Sequence, residues 1–205
     1  MQIVVPRGRL FEESLSLLRQ AGIQSEQPDG RELVIEGEEH TFLLAKAREI
    51  PVYVEKGVDI GITGKDVVEE RGSDVFIPLR LPFGKCRLSI AVPEDRPGDI
   101  RRLEGCTVAT EYPNVTDRFF RSEDINVEVL KVDGSTELAP RAGIAEAIVD
   151  IVETGRTLRA NCLKEIYKIM DISALLLVNR ISQKTRFEEI NGLLAEIRNV
   201  IDDGS

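Results

Sequence analysis

The chain has 205 residues, a formal net charge of −9, 42% hydrophobic residues and 31% charged ones. That is enough for one large or two small domains with a packed core, and it excludes a disordered chain. The acidic balance argues against a general nucleic-acid binder, and no uncharged apolar window of about 18 residues offers a membrane span. Small anions stay open, because a few arginines and backbone N–H groups can hold them. The first apolar strand precedes the first arginines, the reverse of a secretory signal, which predicts a cytoplasmic protein.

Residues 2–6 (QIVVP) predict a strand. Residues 9–22 (RLFEESLSLLRQAG) predict a helix closed by Gly22. The runs 32–37 (ELVIEG) and 40–45 (HTFLLA) read as a hairpin, with His40, the single histidine, as a surface residue. A helix over 50–57, a strand over 58–63 and a helix opening on Gly64 follow, then strands over 74–79 and 86–93. The stretch 94–105 is polar and turn-rich.

The alternation then restarts: a strand over 106–110, a helix over 112–122, a strand over 125–132 and a helical stretch over 137–147. After it come a strand over 148–152, a helix start over 154–161, two strands within 163–179 split near Met170 and Asp171, and a long helix over 182–201. Strands alternating with helices predict an α/β fold of two lobes with mostly parallel sheets. The C-terminal helix returns to the first lobe, giving two crossovers. The first lobe is expected over 1–84 and 177–205 and the second over 85–176, with the active site in the cleft between them. Cys86, Cys106 and Cys162 are scattered and odd in number, so reduced, mostly buried thiols are expected.

Chemistry concentrates in DIVETGRTL, residues 150–158. In open α/β sheets ligands gather at strand carboxyl ends, and this is one. Gly155 permits close approach or positive φ, Thr154 and Thr157 offer hydroxyls, and the first N–H groups of the next helix favour an anion. An ordinary strand–turn–helix with a threonine cap accounts for the same residues. Asp150 and Glu153 in front of such a turn could accept hydrogen bonds from vicinal hydroxyls, which points to a sugar phosphate.

The order PRGRLFEESLSLLRQAGI, IPVYVEKGVDIGITGKDVVEE, ATEYPNVT, GSTELAPRAGIAEAIVDIVETGRTLRAN, SALLLVNR resembles the ATP phosphoribosyltransferase family over nearly the whole chain. The length is similar to the family's short form, without the regulatory domain of the long form. The resemblance implies a type II periplasmic-binding-protein-like fold and transfer of phosphoribosyl from 5-phosphoribosyl 1-pyrophosphate to N1 of ATP, with Mg²⁺. It implies that Glu153, Thr154, Gly155, Arg156, Thr157 and Leu158 hold the donor's phosphate, with Asp150 and Glu137 near the ribose. Glu137 could instead cap the helix after it. Arg9, just past the first strand, would meet a phosphate as a bidentate fork, and Arg31 and Lys46 are the other basic candidates of the first lobe. Arg7, Lys46 and Glu49 depart from the family's usual Lys, Arg and Asp. Gly61, Thr63 and Gly64 end another strand and either hold nucleotide phosphates or pack the turn.

Implied partners are a regulatory subunit similar to histidyl-tRNA synthetase and further copies in a homodimer or larger assembly, with neither nucleic acid nor membrane. Free histidine is expected not to bind the chain tightly by itself. The competing reading is a non-catalytic two-lobed solute-binding module.

Overall fold

A computed structural model describes residues 1–23, 32–37 and 39–203. The elements run β1 (Gln2–Arg7), α1 (Phe11–Gln20), β2 (Val34–Glu36), β3 (Thr41–Lys46), α2 (Ile50–Glu55), β4 (Ile60–Gly64), α3 (Lys65–Arg71) and β5 (Phe76–Arg80). They continue with β6 (Cys86–Pro93), β7 (Thr107–Thr110), α4 (Pro113–Ser122), β8 (Glu128–Lys131), α5 (Leu138–Arg141), β9 (Ala147–Val152) and α6 (Arg156–Ala160). Last come β10 (Leu163–Ile172), β11 (Ala174–Val178), α7 (Arg180–Thr185) and α8 (Phe187–Asp203). The chain divides into two compact units, Met1–Gly84 with Ser173–Ser205, and Lys85–Ile172.

The first unit holds a sheet in the order β2-β3-β1-β4-β11-β5. Alternation along its strands sends Ile3, Val5, Phe42, Leu44, Ile60 and Ile62 to one face. There α1 contributes Leu15 and Leu18, and α8 contributes Ile190, Leu194 and Ile197. Val4, Ala45, Leu175 and Leu177 point to the opposite face, with Ile50 and Val54 of α2 and Val68 of α3. The second unit's sheet runs β10-β6-β9-β7-β8. One face buries Leu88, Ile90, Val108 and Val149 with Phe120 of α4. The other is lined by Ala91, Ala109 and Ile148 with Leu158 of α6.

Both sheets are mixed, not mostly parallel. β1 runs parallel to β3 and β4, and β7 parallel to β8 and β9. The remaining neighbours are antiparallel. The return to the first unit falls between Ile172 and Ser173, ahead of residue 177, because β11 is itself a central strand of the first sheet, bonded to β4 and β5. The expected helix over 137–147 shrinks to four residues: Gly143 takes a φ of +71° and Ala147 already begins β9. The C-terminal helix is two, broken at Arg186 (φ −123°, ψ 38°). The end of α1 follows the sequence reading, with Gly22 at a φ of +80° and Ile23 N–H donating back to the Leu18 carbonyl.

Asn179 fixes the start of α7. Its side-chain oxygen accepts from the N–H groups of Ile181 and Ser182, and its amide donates to the Val54 carbonyl at 2.6 Å, in a buried setting. Asn179→Ala removes the cap and strands a buried carbonyl, so it should destabilise the fold by about 2 kcal/mol. Urea unfolding checks this through a lowered midpoint at unchanged slope.

Candidate active site

The parallel strands β7, β8 and β9 bring three connections to one edge of the second unit's sheet. After β7, Thr110 donates its hydroxyl to the Val149 carbonyl at 2.8 Å and accepts from Tyr112 N–H, which sets the direction of the chain at Glu111. After β8, Gly134 N–H donates to Glu111 Oε1 at 2.8 Å. Thr136, fully enclosed, donates its hydroxyl in a short bond to the Asp150 carboxylate. Asp150 also accepts from Ile151 N–H at 2.6 Å. Burial holds the Asp150 carboxyl above its ordinary value of 3.8, against the pull of those two hydrogen bonds, and the negative charges of Glu137 and Glu111 push the same way as burial. Glu137 does stand immediately before α5, but no cap bond from its side chain is made.

After β9, residues 153–155 form a tight turn. Gly155 has φ +72° and ψ 10°, the left-handed region where a side chain is strained, and it immediately precedes α6. Thr154 Oγ1 lies 3.4 Å from Arg156 N–H, so the threonine caps from one residue earlier than an ordinary N-cap. Glu153, Thr154, Arg156 and Thr157 are exposed at the turn. Leu158 is not: its side chain belongs to the apolar cluster beneath, so only its backbone can meet a ligand.

In the first unit the carboxyl ends of β1, β3 and β4 share an edge in the same way. Gly8 takes a φ of +96° and Phe11 N–H donates to its carbonyl at 3.0 Å. Arg9 therefore lies in this turn, exposed, and not in the helix. Arg7 and Lys46 are register partners. A cavity of about 110 Å³ is lined by Arg7, Arg9, Ala47, Gly64 and Asp66 among others.

The remaining candidates are explained by packing. A Cβ on Gly61 would come within 2.7 Å of Val54 and 2.8 Å of Ile50, so the strand needs a glycine there for α2 to sit down, and the residue is buried. Thr63 is fully buried and donates its hydroxyl to the Ala47 carbonyl at 2.8 Å, tying β4 to the end of β3. A Cβ on Gly64 would strike the Asp66 carboxylate. Arg31 lies outside the described residues.

His40 is half-buried rather than on the surface. Its Nδ1 lies 3.5 Å from the N-terminal ammonium, and burial followed by that charge lowers its pKa from 6.5. None of the three cysteines is in a disulfide; Cys162 is exposed and the other two are half-buried, so the buried expectation fails. Among the described residues no three His, Cys, Asp or Glu side chains form a group that could hold a metal, and no helix is long and apolar enough to cross a membrane.

The family model for HisG, ATP phosphoribosyltransferase, matches residues 46–199. The chain belongs to the ATP phosphoribosyltransferase family. An ATP phosphoribosyltransferase of Pyrococcus furiosus is 61% identical over 198 residues, 97% of each chain. A chain from the ATP phosphoribosyl transferase (HisG:HisZ) complex of Thermotoga maritima superposes with a TM-score of 0.87 at 31% identity, covering 99% of each chain. The fold reaches further: the periplasmic aliphatic sulphonate binding protein of Escherichia coli superposes with a TM-score of 0.62 at 15% identity, over 96% of this chain and 70% of that one. The chain thus has a type II periplasmic-binding-protein-like fold.

Sequence reading missed several polar groups at these strand ends: Glu111, Thr136, and the trio Arg87, Ser89 and Glu165. Arg87 and Ser89 are two apart in an apolar strand, which is the one signal they leave, since i and i+2 share a face.

Proposed function

We infer that this chain transfers phosphoribosyl from 5-phosphoribosyl 1-pyrophosphate to ATP, the first step of histidine biosynthesis. Adenine N1 forms a bond to C1 of the ribose, and the bond from C1 to the pyrophosphate oxygen breaks with its electron pair leaving on pyrophosphate. The observation that carries the reading is the strand-end cluster of the second unit, a turn preceded by paired acids, in a chain of this family. The competing solute-binding reading rests on fold alone.

In this account the turn from Glu153 to Leu158 receives the donor's 5′-phosphate on backbone N–H groups and the hydroxyls of Thr154 and Thr157. Asp150, Glu153 and Glu137 accept hydrogen bonds from the ribose hydroxyls and favour positive charge growing on C1. Thr136 holds the Asp150 carboxylate in place. In the first unit Arg9 and Lys46 meet phosphate charge at the ends of β1 and β3; Arg31, the third basic candidate, lies outside the described residues. Of the residues read as ATP-binding, Arg9 and Gly64 reach the lined cavity, whereas Gly61 and Thr63 support it from within. No covalent nucleophile is needed, because pyrophosphate is already a good leaving group and N1 needs positioning more than deprotonation.

The acidic residues suit Mg²⁺. That ion commonly takes one or two protein carboxylates and completes its shell with substrate phosphates and water, and Asp150, close enough to Glu137 and Glu111 to feel their charge, would be the carboxylate to supply it, with the donor's phosphates and water as the other ligands. Bound there with the donor, Mg²⁺ would neutralise charge building on the leaving group. A regulatory partner of the kind in the Thermotoga maritima complex, and self-association, belong to the same proposal.

Mixing the protein with ATP, 5-phosphoribosyl 1-pyrophosphate and Mg²⁺ should generate an absorbing N1-phosphoribosylated adenine nucleotide and pyrophosphate in equal amounts. Donor binding without either product, with the regulatory partner present as well, would reject catalysis.

A pH dependence follows from Asp150. Its ionised form is the one that accepts a ribose hydroxyl, and its folded pKa is raised. Donor affinity should therefore weaken as pH falls through that raised value, at a higher pH than an ordinary aspartate would give. Asp150→Asn should lower affinity and remove this acid limb. Calorimetric titrations across pH with both proteins check it.

A further inference from the structure

Two arginines outside the residues assigned above hold backbone carbonyls of the turn. Arg87 of β6 donates from Nη1 to the Glu153 carbonyl at 3.2 Å. Arg159 of α6 donates from Nη2 to the Thr154 carbonyl at 3.2 Å. In a planar trans peptide the C=O and the following N–H point in opposite directions. Anchoring these two successive carbonyls therefore fixes the directions of the Thr154 and Gly155 N–H groups, each pointing away from the arginine that holds the carbonyl of its own peptide.

Arg87 is itself fixed. Its Nε and Nη2 donate to the two carboxylate oxygens of Glu165 at 2.6 and 2.5 Å, a bidentate fork. Ser89, fully buried, donates its hydroxyl to the same carboxylate at 2.8 Å. Opposite Arg87 and Ser89 in the register stand Val152 and Asp150 of β9. The network thus runs from β10 through β6 to the strand that delivers the turn. Glu165 offsets the charge of Arg87, so what Arg87 supplies to the turn is orientation more than field.

We propose that Arg87, held by Glu165 and Ser89, and Arg159 are positioning residues that fix the carbonyls of Glu153 and Thr154 so that the next two N–H groups face the donor's 5′-phosphate. The proposal rests on the reading of this turn as the phosphate site. The fit between residue and role is geometric: only a fork can reach Glu165 and the Glu153 carbonyl together.

Ribose 5-phosphate is the probe, since it carries the 5′-phosphate without the pyrophosphate. Its dissociation constant is measured by calorimetry for the wild type and for Arg87→Met, Arg87→Lys, Arg159→Met and Gly155→Asp, with the unfolding temperature of each. Arg87→Met and Arg159→Met should weaken it by about tenfold or more, while the Michaelis constant for ATP stays within about twofold. Arg87→Lys keeps the charge and an ion pair with Glu165 but lacks the second arm, and should lose affinity as Arg87→Met does; it also serves if Arg87→Met fails to fold. If Gly155→Asp weakens binding while Arg87→Lys and Arg159→Met bind as wild type, the positioning role is overturned and the turn assignment stands. If none of the four weakens it, the turn assignment falls and takes the positioning role with it.

Discussion

Gly155→Asp should fold normally and lose about 100-fold in affinity for 5-phosphoribosyl 1-pyrophosphate. The residue sits at φ +72°, where aspartate is among the few side chains tolerated. The one close atom a Cβ there meets is the end of a flexible side chain, Arg159 Nη1 at 3.1 Å, which can move aside; Val152 at 3.9 Å is an ordinary contact. The new carboxylate has two effects. It draws Arg159 away from the Thr154 carbonyl, and it places a negative charge beside the phosphate. Two unit charges at about 4 Å repel by several kcal/mol at the effective dielectric of a protein surface, and about 2.7 kcal/mol already gives a hundredfold loss. Calorimetry on the mutant reads the loss directly, and an unchanged circular dichroism spectrum separates it from unfolding. Unaltered donor affinity would remove the turn from the site.

Arg9→Ala should lower turnover by about 10²–10³, the usual cost of removing one electrostatic contact to charge that develops in the transition state. Arg9 is exposed in the turn after β1 and lines the cavity shared with Ala47, Gly64 and Asp66. If its fork stabilises the leaving pyrophosphate, the rate at saturation falls while the Michaelis constant for ATP changes little. If it grips the ATP phosphates, that Michaelis constant rises and the saturated rate holds. Steady-state kinetics with each substrate varied separates the two. A mutant with wild-type values for both would make Arg9 a solvated surface residue.

The elements were largely legible because burial dictates their pattern. Four successive buried residues in β1 and five in β11 leave apolar runs that only an enclosed strand needs. Strand direction was not legible. Whether β11 enters parallel or antiparallel between β4 and β5 depends on the path of the chain through the second unit, which no local pattern records. The break at Arg186 was hidden for a similar reason. Neither glycine nor proline marks it, and its guanidinium lies 3.4 Å from Asp59, a buried carboxylate 127 residues earlier in the chain.

The site divides along the same line. The turn announced itself because a glycine and hydroxylated residues follow a buried strand within a few positions. The groups that brace it did not, since Arg87 meets Glu165 across 78 residues and Thr136 meets Asp150 only after α5 has closed the connection. For Gly61 and Thr63 the sequence offered two readings, phosphate contact or packing; Gly64 at the end of β4 lines a cavity, while tight packing of α2 meets Gly61 and a hydroxyl bond to Ala47 engages Thr63.

The central claim is that the turn after β9 receives the donor's phosphate. Amide chemical shifts of the ¹⁵N-labelled chain, recorded as ribose 5-phosphate and then 5-phosphoribosyl 1-pyrophosphate are added, test it most directly. The account predicts that the N–H signals of Thr154, Gly155, Arg156 and Thr157 move first and furthest with both ligands, with Glu111 and Thr136 following. Saturating shifts confined to other segments, with these four signals unmoved, would contradict it.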